Sequence, residues 1–186
     1  MAQDNATAAA ELGLHLLVLR CQAGDERAFA QLMDRFGART LGYLRGLVGQ
    51  AAEDVQQEVW LAVYRGVAGL ANPRAFRTWL FRTTRHRAVD FLRKQKREWE
   101  LIGDASLESL NGVEPATENS DADMTDSMLD ALDALAPAHR EVCLLRYRDE
   151  MSYAEIALVV GCSIGTVRSR LYYAKQQLQN HMRRGS

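Results

Sequence analysis

Between Arg74 and Arg97 the chain carries nine Lys/Arg and one acid, Asp90. Projected on a helix, Phe76, Leu80, Thr84, Ala88 and Phe91 form an inner stripe, while Trp79, Arg82, His86, Asp90 and Arg93 fall on the opposite side. Basic groups interleaved with an aromatic suit single-stranded or melted nucleic acid, because cations track the backbone and rings stack on bases. Arg74 opens this stretch, and a carboxylate such as Asp90 accepts a hydrogen bond from a cytosine amino group. Core packing is an equal reading for Trp79, and a neutral surface position is the alternative for His86.

A second cluster sits near the C-terminus. Val167, Leu171, Ala174 and Leu178 make a buried stripe, and opposite it lie Ser169, Tyr172, Tyr173 and Gln176, flanked by Thr166 and Arg168. Arg and Gln read base edges in the major groove, whereas Ser, Thr and Tyr mostly fix phosphates. Arg170 falls nearer the buried side. A solvated face in a protein-binding bundle is the rival reading, but the run after Glu155 is basic and free of acids, which favours DNA. A third set, Asp54, Gln57, Glu58 and Leu61, recurs as i, i+3, i+4, i+7 on a face that the apolar stripe Val55, Val59, Ala62, Val63 does not use. It reads as a partner-facing surface.

Nothing in the sequence assembles a catalytic site. There is no GxSxG, Walker loop or HExxH, and His15, His86, His139 and His181 are scattered. Cys21, Cys143 and Cys162 lie far apart without zinc-ligand spacing, so reduced thiols in a cytoplasmic protein are expected. No catalytic residue, cofactor or metal is expected. The chain is read as a binding protein.

The elements that must position these residues are helical throughout. A polar, Ala-rich leader occupies residues 1–14 and is expected to fray. A helix beginning near Gly24-Asp25 carries the stripe Phe29, Leu32, Met33, Phe36, Tyr43, Leu44 and Leu47. Gly37, Gly42 and Gly46 lie along it, each costing roughly 1 kcal/mol relative to Ala, and close helix packing is one reason to keep them. The acidic-faced helix follows over residues 51–66, Asn72-Pro73 breaks the chain, and Pro opens the basic helix. In the second module Pro137 starts a helix, and Ser152 with Glu155 fits a capping box. Gly161-Cys162-Ser163 then turns into the last helix, the pattern of a helix-turn-helix.

Charge divides the 186 residues the same way. The net formal charge is −1, but residues 1–98 carry +5, residues 99–136 carry −10 with no Lys/Arg, and residues 137–186 carry +4. The fold expected is all-α: two small helical domains, residues 15–98 and 125–183, joined by a flexible acidic linker over residues 99–124. Like charges extend such a linker and would hold the two basic modules apart. The short apolar run at residues 12–19 is interrupted by His15 and preceded by acids, so neither a signal peptide nor a bilayer span is expected.

At this point the wording resembles a known family. Ala52-Glu53-Asp54-Val55-Gln56-Gln57-Glu58-Val59-Trp60 is similar to the polymerase-binding helix of bacterial RNA polymerase sigma factors of the extracytoplasmic-function (ECF) group, in the sigma-70 family. Phe76-Arg77-Thr78-Trp79-Leu80 with Arg85-His86-Arg87-Ala88-Val89-Asp90-Phe91-Leu92-Arg93 resembles that group's −10 helix. Leu135-Ala136-Pro137-Ala138-His139-Arg140-Glu141-Val142, Met151-Ser152-Tyr153-Ala154-Glu155-Ile156-Ala157 and Gly165-Thr166-Val167-Arg168-Ser169-Arg170-Leu171 resemble its C-terminal domain and −35 helix. The resemblance implies that residues 15–98 are sigma region 2 and residues 125–183 sigma region 4. It implies that Asp54, Gln57, Glu58 and Leu61 dock on the clamp helices of the polymerase's largest subunit, with the flap as a further contact. The loop over residues 66–74, with Asp90 nearby, would hold a base flipped from the melted −10 strand. Arg168, Ser169, Arg170 and Tyr172 would contact the −35 duplex. An anti-sigma factor is implied as a further partner, giving the protein an indirect membrane tether at most. One departure is His86, which stands where the family commonly has Asn. The rival from another class is a stand-alone helix-turn-helix regulator that needs no polymerase.

Overall fold

The computed structural model describes the backbone of residues 2–102, 132 and 134–184. Four helices build the N-terminal module: α1 (Ala2–Gln22), α2 (Glu26–Val48), α3 (Ala52–Gly66) and α4 (Phe76–Ile102). Asp25 caps α2, its carboxylate accepting from the backbone N–H groups of Arg27 and Ala28. Asn72 does the same for Arg74 N–H, and Pro73 occupies the first position of the short 3₁₀ turn before α4. Val18, Leu32, Phe36, Leu44, Val55, Val59, Val63, Phe76 and Leu80 interlock as one core. Each such side chain withdraws roughly 1.5–3 kcal/mol worth of apolar surface from water. Gln56 ties α3 to α2 by donating to Gly37 O at 2.7 Å and Thr40 Oγ1 at 3.0 Å.

Two boundaries differ from expectation. From Ala2 onward the expected leader is helix rather than a frayed strand of chain; Ala is the strongest helix former, and Leu14, Leu17, Val18 and Cys21 anchor the helix on the core. The basic helix also continues past residue 98 to Ile102. The rest of the acidic linker lies outside the described residues.

The C-terminal module contains α5 (Pro137–Cys143), a five-residue π-turn (Leu144–Arg148), α6 (Tyr153–Val160) and α7 (Ile164–Arg184). Both capping-box bonds form: Ser152 Oγ accepts from Glu155 N–H, and Glu155 Oε2 accepts from Ser152 N–H. Gly161, at φ 74°, supplies the left-handed turn between α6 and α7. Val142, Leu145, Met151, Ile156, Val167, Leu171 and Ala174 form the second core. Cys21 and Cys143 are buried free thiols and Cys162 is half-buried; burial pushes the Cys143 thiol up to about 11.

The two modules are not held apart. Tyr43 of α2 and Phe81 of α4 are fully buried members of the second core, with their rings edge to face at 5.6 Å, and α6 packs along α4. Glu141 accepts from the Tyr43 hydroxyl at 2.8 Å and from Arg85 Nε at 2.7 Å. Arg148 donates to Ala38 O at 3.1 Å. The glycines of α2 acquire their reason here. A Cβ on Gly42 would run into the Arg148 guanidinium, and one on Gly46 into Leu144 Cδ1, whereas Gly37 faces open space.

Asp149 lies at the same junction, 0% exposed. Arg39 Nε approaches it at 3.5 Å, and among the described residues neither of its oxygens accepts a hydrogen bond. Burial pushes its pKa up to about 6, against the smaller opposing pull of Arg39, Arg148 and Arg77. A raised carboxylate binds its proton more tightly folded than unfolded, so stability falls as pH rises from about 4 through about 6. Asp149→Asn removes that penalty: its melting temperature is expected to exceed the wild type's at pH 7 and above, with the gap closing toward pH 4. A thermal melt series across pH measures both. Next to it, Glu150 is held at φ 52°, a left-handed conformation that strains a residue with a Cβ. Glu150→Gly is expected to raise stability by roughly 0.5 kcal/mol, the relief of strain exceeding glycine's larger unfolded entropy, as read by urea denaturation.

Candidate nucleic-acid interface

Three exposed faces emerge from this scaffold. On α3, Asp54, Gln57, Glu58 and Leu61 all reach solvent, with Leu61 56% exposed, while Val55, Val59 and Val63 point into the core. The four residues therefore form the continuous face that their spacing predicts. Phe29 packs edge to face on Tyr64 (5.1 Å) and Trp60 (6.0 Å), so the C-terminal half of this helix is braced from α2.

On α4, Arg82, His86, Asp90 and Arg93 are exposed in one stripe. Trp79 lies at the margin between the core and this stripe. It is half-buried, its ring lies 6.0 Å from Phe76, and its Cζ2 would sit 3.0 Å from a Cβ on Gly66. One edge thus packs on the Gly66 backbone while the residue stays in line with the exposed stripe. Arg74 is exposed at the start of the stripe. The loop between α3 and α4 is held from a residue that sequence reasoning missed: Gln22, at the end of α1, donates to Val67 O at 3.1 Å and Leu70 O at 2.8 Å. No local pattern marks Gln22, because its partners lie 45 and 48 residues away.

On α7, Arg168, Ser169, Tyr172, Tyr173 and Gln176 are exposed, and Thr166 and Arg170 are half-buried. The intermediate place of Arg170 matches its position on the helical wheel. Ser163 opens the helix by accepting from Thr166 N–H at 3.1 Å, and its hydroxyl pairs with that of Thr166 at 2.9 Å. Ser169 donates to Thr166 O, so its hydroxyl keeps acceptor capacity for an outside donor. Tyr172 and Tyr173, 60% and 54% exposed, meet edge to face at 5.6 Å. Gln176 donates to the Tyr172 hydroxyl at 2.8 Å. His139 of α5 stacks on Tyr173 and reaches Gln177 at 3.4 Å, fixing the far end of the face from a neighbouring helix. Among the described residues no group of His, Cys, Asp and Glu is gathered as a metal site.

The chain thus presents two exposed faces with basic and aromatic residues and a third, acidic one, and comparison with known proteins gives it a family. Residues 32–98 match Sigma-70 region 2 and residues 125–178 match Sigma-70, region 4. The ECF RNA polymerase sigma-E factor of Haemophilus influenzae is 31% identical over 174 residues, covering 88% of this chain and 92% of that protein. The ECF RNA polymerase sigma factor SigW of Bacillus subtilis is 26% identical over 184 residues, covering 93% and 98%. Among solved structures, the sigma factor RpoE in complex with the anti-sigma factor NepR from Bartonella quintana superposes with a TM-score of 0.66 at 26% identity, covering 83% of this chain and 96% of that one. CnrH, solved with the cytosolic domain of CnrY, shares the fold at a TM-score of 0.66 and 24% identity. A stand-alone helix-turn-helix regulator would not carry the first of the two matched regions. With both regions in order on one chain and relatives aligned nearly end to end, this protein belongs to the ECF group of sigma-70 family RNA polymerase sigma factors.

Proposed function

We propose that the α3 face is the polymerase dock and that the α4 and α7 faces are two separate promoter-reading heads. Asp54, Gln57, Glu58 and Leu61 contact the clamp helices of the largest subunit, and the C-terminal module meets the flap. Arg74, Trp79, Arg82, His86, Asp90 and Arg93 hold the melted −10 strand, with Gln22 keeping the adjacent loop in shape for a flipped base. Thr166, Arg168, Ser169, Arg170, Tyr172, Tyr173 and Gln176 meet the −35 duplex. The protein supplies recognition and leaves the chemistry to the polymerase in the cytoplasm. Residues 15–98 and 125–183 are the working modules.

One observation carries this reading. The α3 face, the α4 stripe and the α7 face stay open to solvent although each shares its helix with a packed core. Exposed residues of mixed charge and aromatic type at helical spacing are what a surface awaiting partners retains. The Bartonella relative was crystallised with the anti-sigma factor NepR, which supports a protein inhibitor here as well. No helix among the described residues is long and apolar enough to cross a membrane.

Reconstituted transcription with bacterial core polymerase, with and without the protein, tests the whole reading. Two mutant sets resolve its parts. Asp54→Lys with Glu58→Lys is expected to weaken core binding in a pull-down while circular dichroism stays unchanged, because exposed charges add little to folding; undiminished binding would remove the α3 assignment. Arg168→Ala is expected to weaken promoters that depend on the −35 sequence by roughly 1–3 kcal/mol, the value of a base-reading contact. Asp90→Ala is expected to shift preference within the −10 element instead. A promoter library transcribed by each variant separates them, and identical profiles would count against two reading heads.

A further inference from the structure

We propose that Gln22, at the end of α1, is a positioning residue for −10 specificity: its carboxamide holds the loop between α3 and α4 in the shape that discriminates the flipped base. The inference rests on the sigma reading of that loop. It extends the specificity device upstream of residues 32–98, the span that matches Sigma-70 region 2.

The loop is anchored at both ends by its own neighbourhood. Gly66 lies against the Trp79 ring, where a Cβ would stand 3.0 Å from Cζ2. Val67 is buried, and the 3₁₀ turn Val67–Gly69 is closed by Leu70 N–H on Val67 O at 3.1 Å. At the far end Asn72 Oδ1 accepts from Arg74 N–H at 3.0 Å, and Pro73 has its φ fixed by its ring. Between these anchors Gly69, Leu70 and Ala71 offer no polar side chain that could hold the backbone.

Gln22 supplies that hold from a distance. Its Nε2 donates to Val67 O at 3.1 Å and to Leu70 O at 2.8 Å, and α1 packs on both 3₁₀ turns that flank the loop, Val67–Gly69 and Pro73–Ala75. The residue is itself aimed by the turn that follows it. Gly24 takes φ 86°, and Asp25 accepts from Arg20 Nε at 2.9 Å and Nη2 at 2.6 Å.

Two carbonyl oxygens bonded to Gln22 cannot swing toward a phosphate or compete for the donors that a bound base needs. The loop is thereby ordered during folding rather than at the moment of binding. A loose loop adjusts to each of the four bases, whereas a fixed one leaves polar groups unpaired against all but the matching base. Loss of the Gln22 bonds therefore lowers discrimination between bases more than it lowers affinity for DNA.

The test uses the full chain with bacterial core polymerase. The promoters carry every single-base change in the −10 element over a constant −35 element. Gln22→Met keeps side-chain length but has no donor, Gln22→Ser removes the reach with a smaller polar group, and Gln22→Lys keeps both length and donors. The readout is the ratio of open-complex formation on the preferred base to that on the other three at each position, with core affinity and thermal melting measured alongside. The two donor-free variants are expected to lower this ratio about tenfold at one position, the worth of one or two neutral hydrogen bonds, with core affinity unchanged. Gln22→Lys is expected to retain most of it, because an added charge strengthens binding to all these promoters alike and cancels in the ratio. Full discrimination by either donor-free variant that melts cooperatively overturns the proposal, since a merely structural amide would move the melting temperature and leave base preference as it was. A folded Lys variant that discriminates no better than the Met variant also overturns it. A wild type without base preference anywhere in the −10 element overturns the sigma reading of the loop instead.

Discussion

A single carboxylate oxygen, Glu141 Oε1, receives the Tyr43 hydroxyl from 98 residues upstream and Arg85 Nε from 56 residues upstream. Much of the architecture depends on that pairing. Burying a carboxylate costs several kcal/mol, and an arginine partner with a second donor is the arrangement that offsets it. Burial and the nearby Glu141 charge hold the Tyr43 phenol well above its ordinary pKa, so it remains a donor. The surrounding apolar groups supply adhesion without direction, while the Glu141 node admits one register of α5 against α2 and α4. Replacing only one partner would strand the others in a dry interface.

The same constraint explains how one helix serves three surfaces. α4 turns Phe76, Leu80 and Ala88 to the N-terminal core. It turns Phe81 and Arg85 to the C-terminal module and Arg82, His86, Asp90 and Arg93 to solvent. At 100° per residue a helix has room for three such stripes only if each stays narrow. Its high basic content is thus shared between an exposed stripe and a buried clasp, which a count of charges along the helix does not distinguish.

What was legible in the sequence is what depends on neighbours a few residues away. The start of α2 near Asp25, Ser152 as a cap, Pro137 at a first turn, the Gly161 turn, the exposed α3 face and the Val167–Leu171–Ala174 stripe all follow from local hydrogen bonding or period. The polar leader was misread because α1 has little amphipathic contrast: Leu12, Leu16 and Leu19 face outward while Leu14, Leu17 and Val18 face in. The docking of the modules was out of reach for a different reason. Tyr43 has the spacing of an N-terminal core residue, and both it and Phe81 gain their C-terminal neighbours only through the fold. Gly42 and Gly46 signalled only a cost, and the compensating partners, Arg148 and Leu144, lie about a hundred positions downstream. An acidic linker argued for separation because net charge was weighed without the placement of individual ions.

That placement resolves the apparent conflict of two basic modules in contact. The C-terminal module has four acids from residue 137 onward, Glu141, Asp149, Glu150 and Glu155. Glu141 faces Arg85 and Tyr43, and Asp149 faces Arg39. Glu155 closes a helix cap. None falls on α7, which has no acid along its length. At Glu141 and Glu155 negative charge therefore sits where an arginine of the other module or an exposed helix end receives it, and α7 carries basic residues undiluted by acids. Long-range repulsion between +5 and +4 modules is screened within about 8–10 Å at ordinary salt, whereas a hydrogen-bonded contact at 2.7 Å inside a dry junction is not. Short-range complementarity thus governs whether the modules meet.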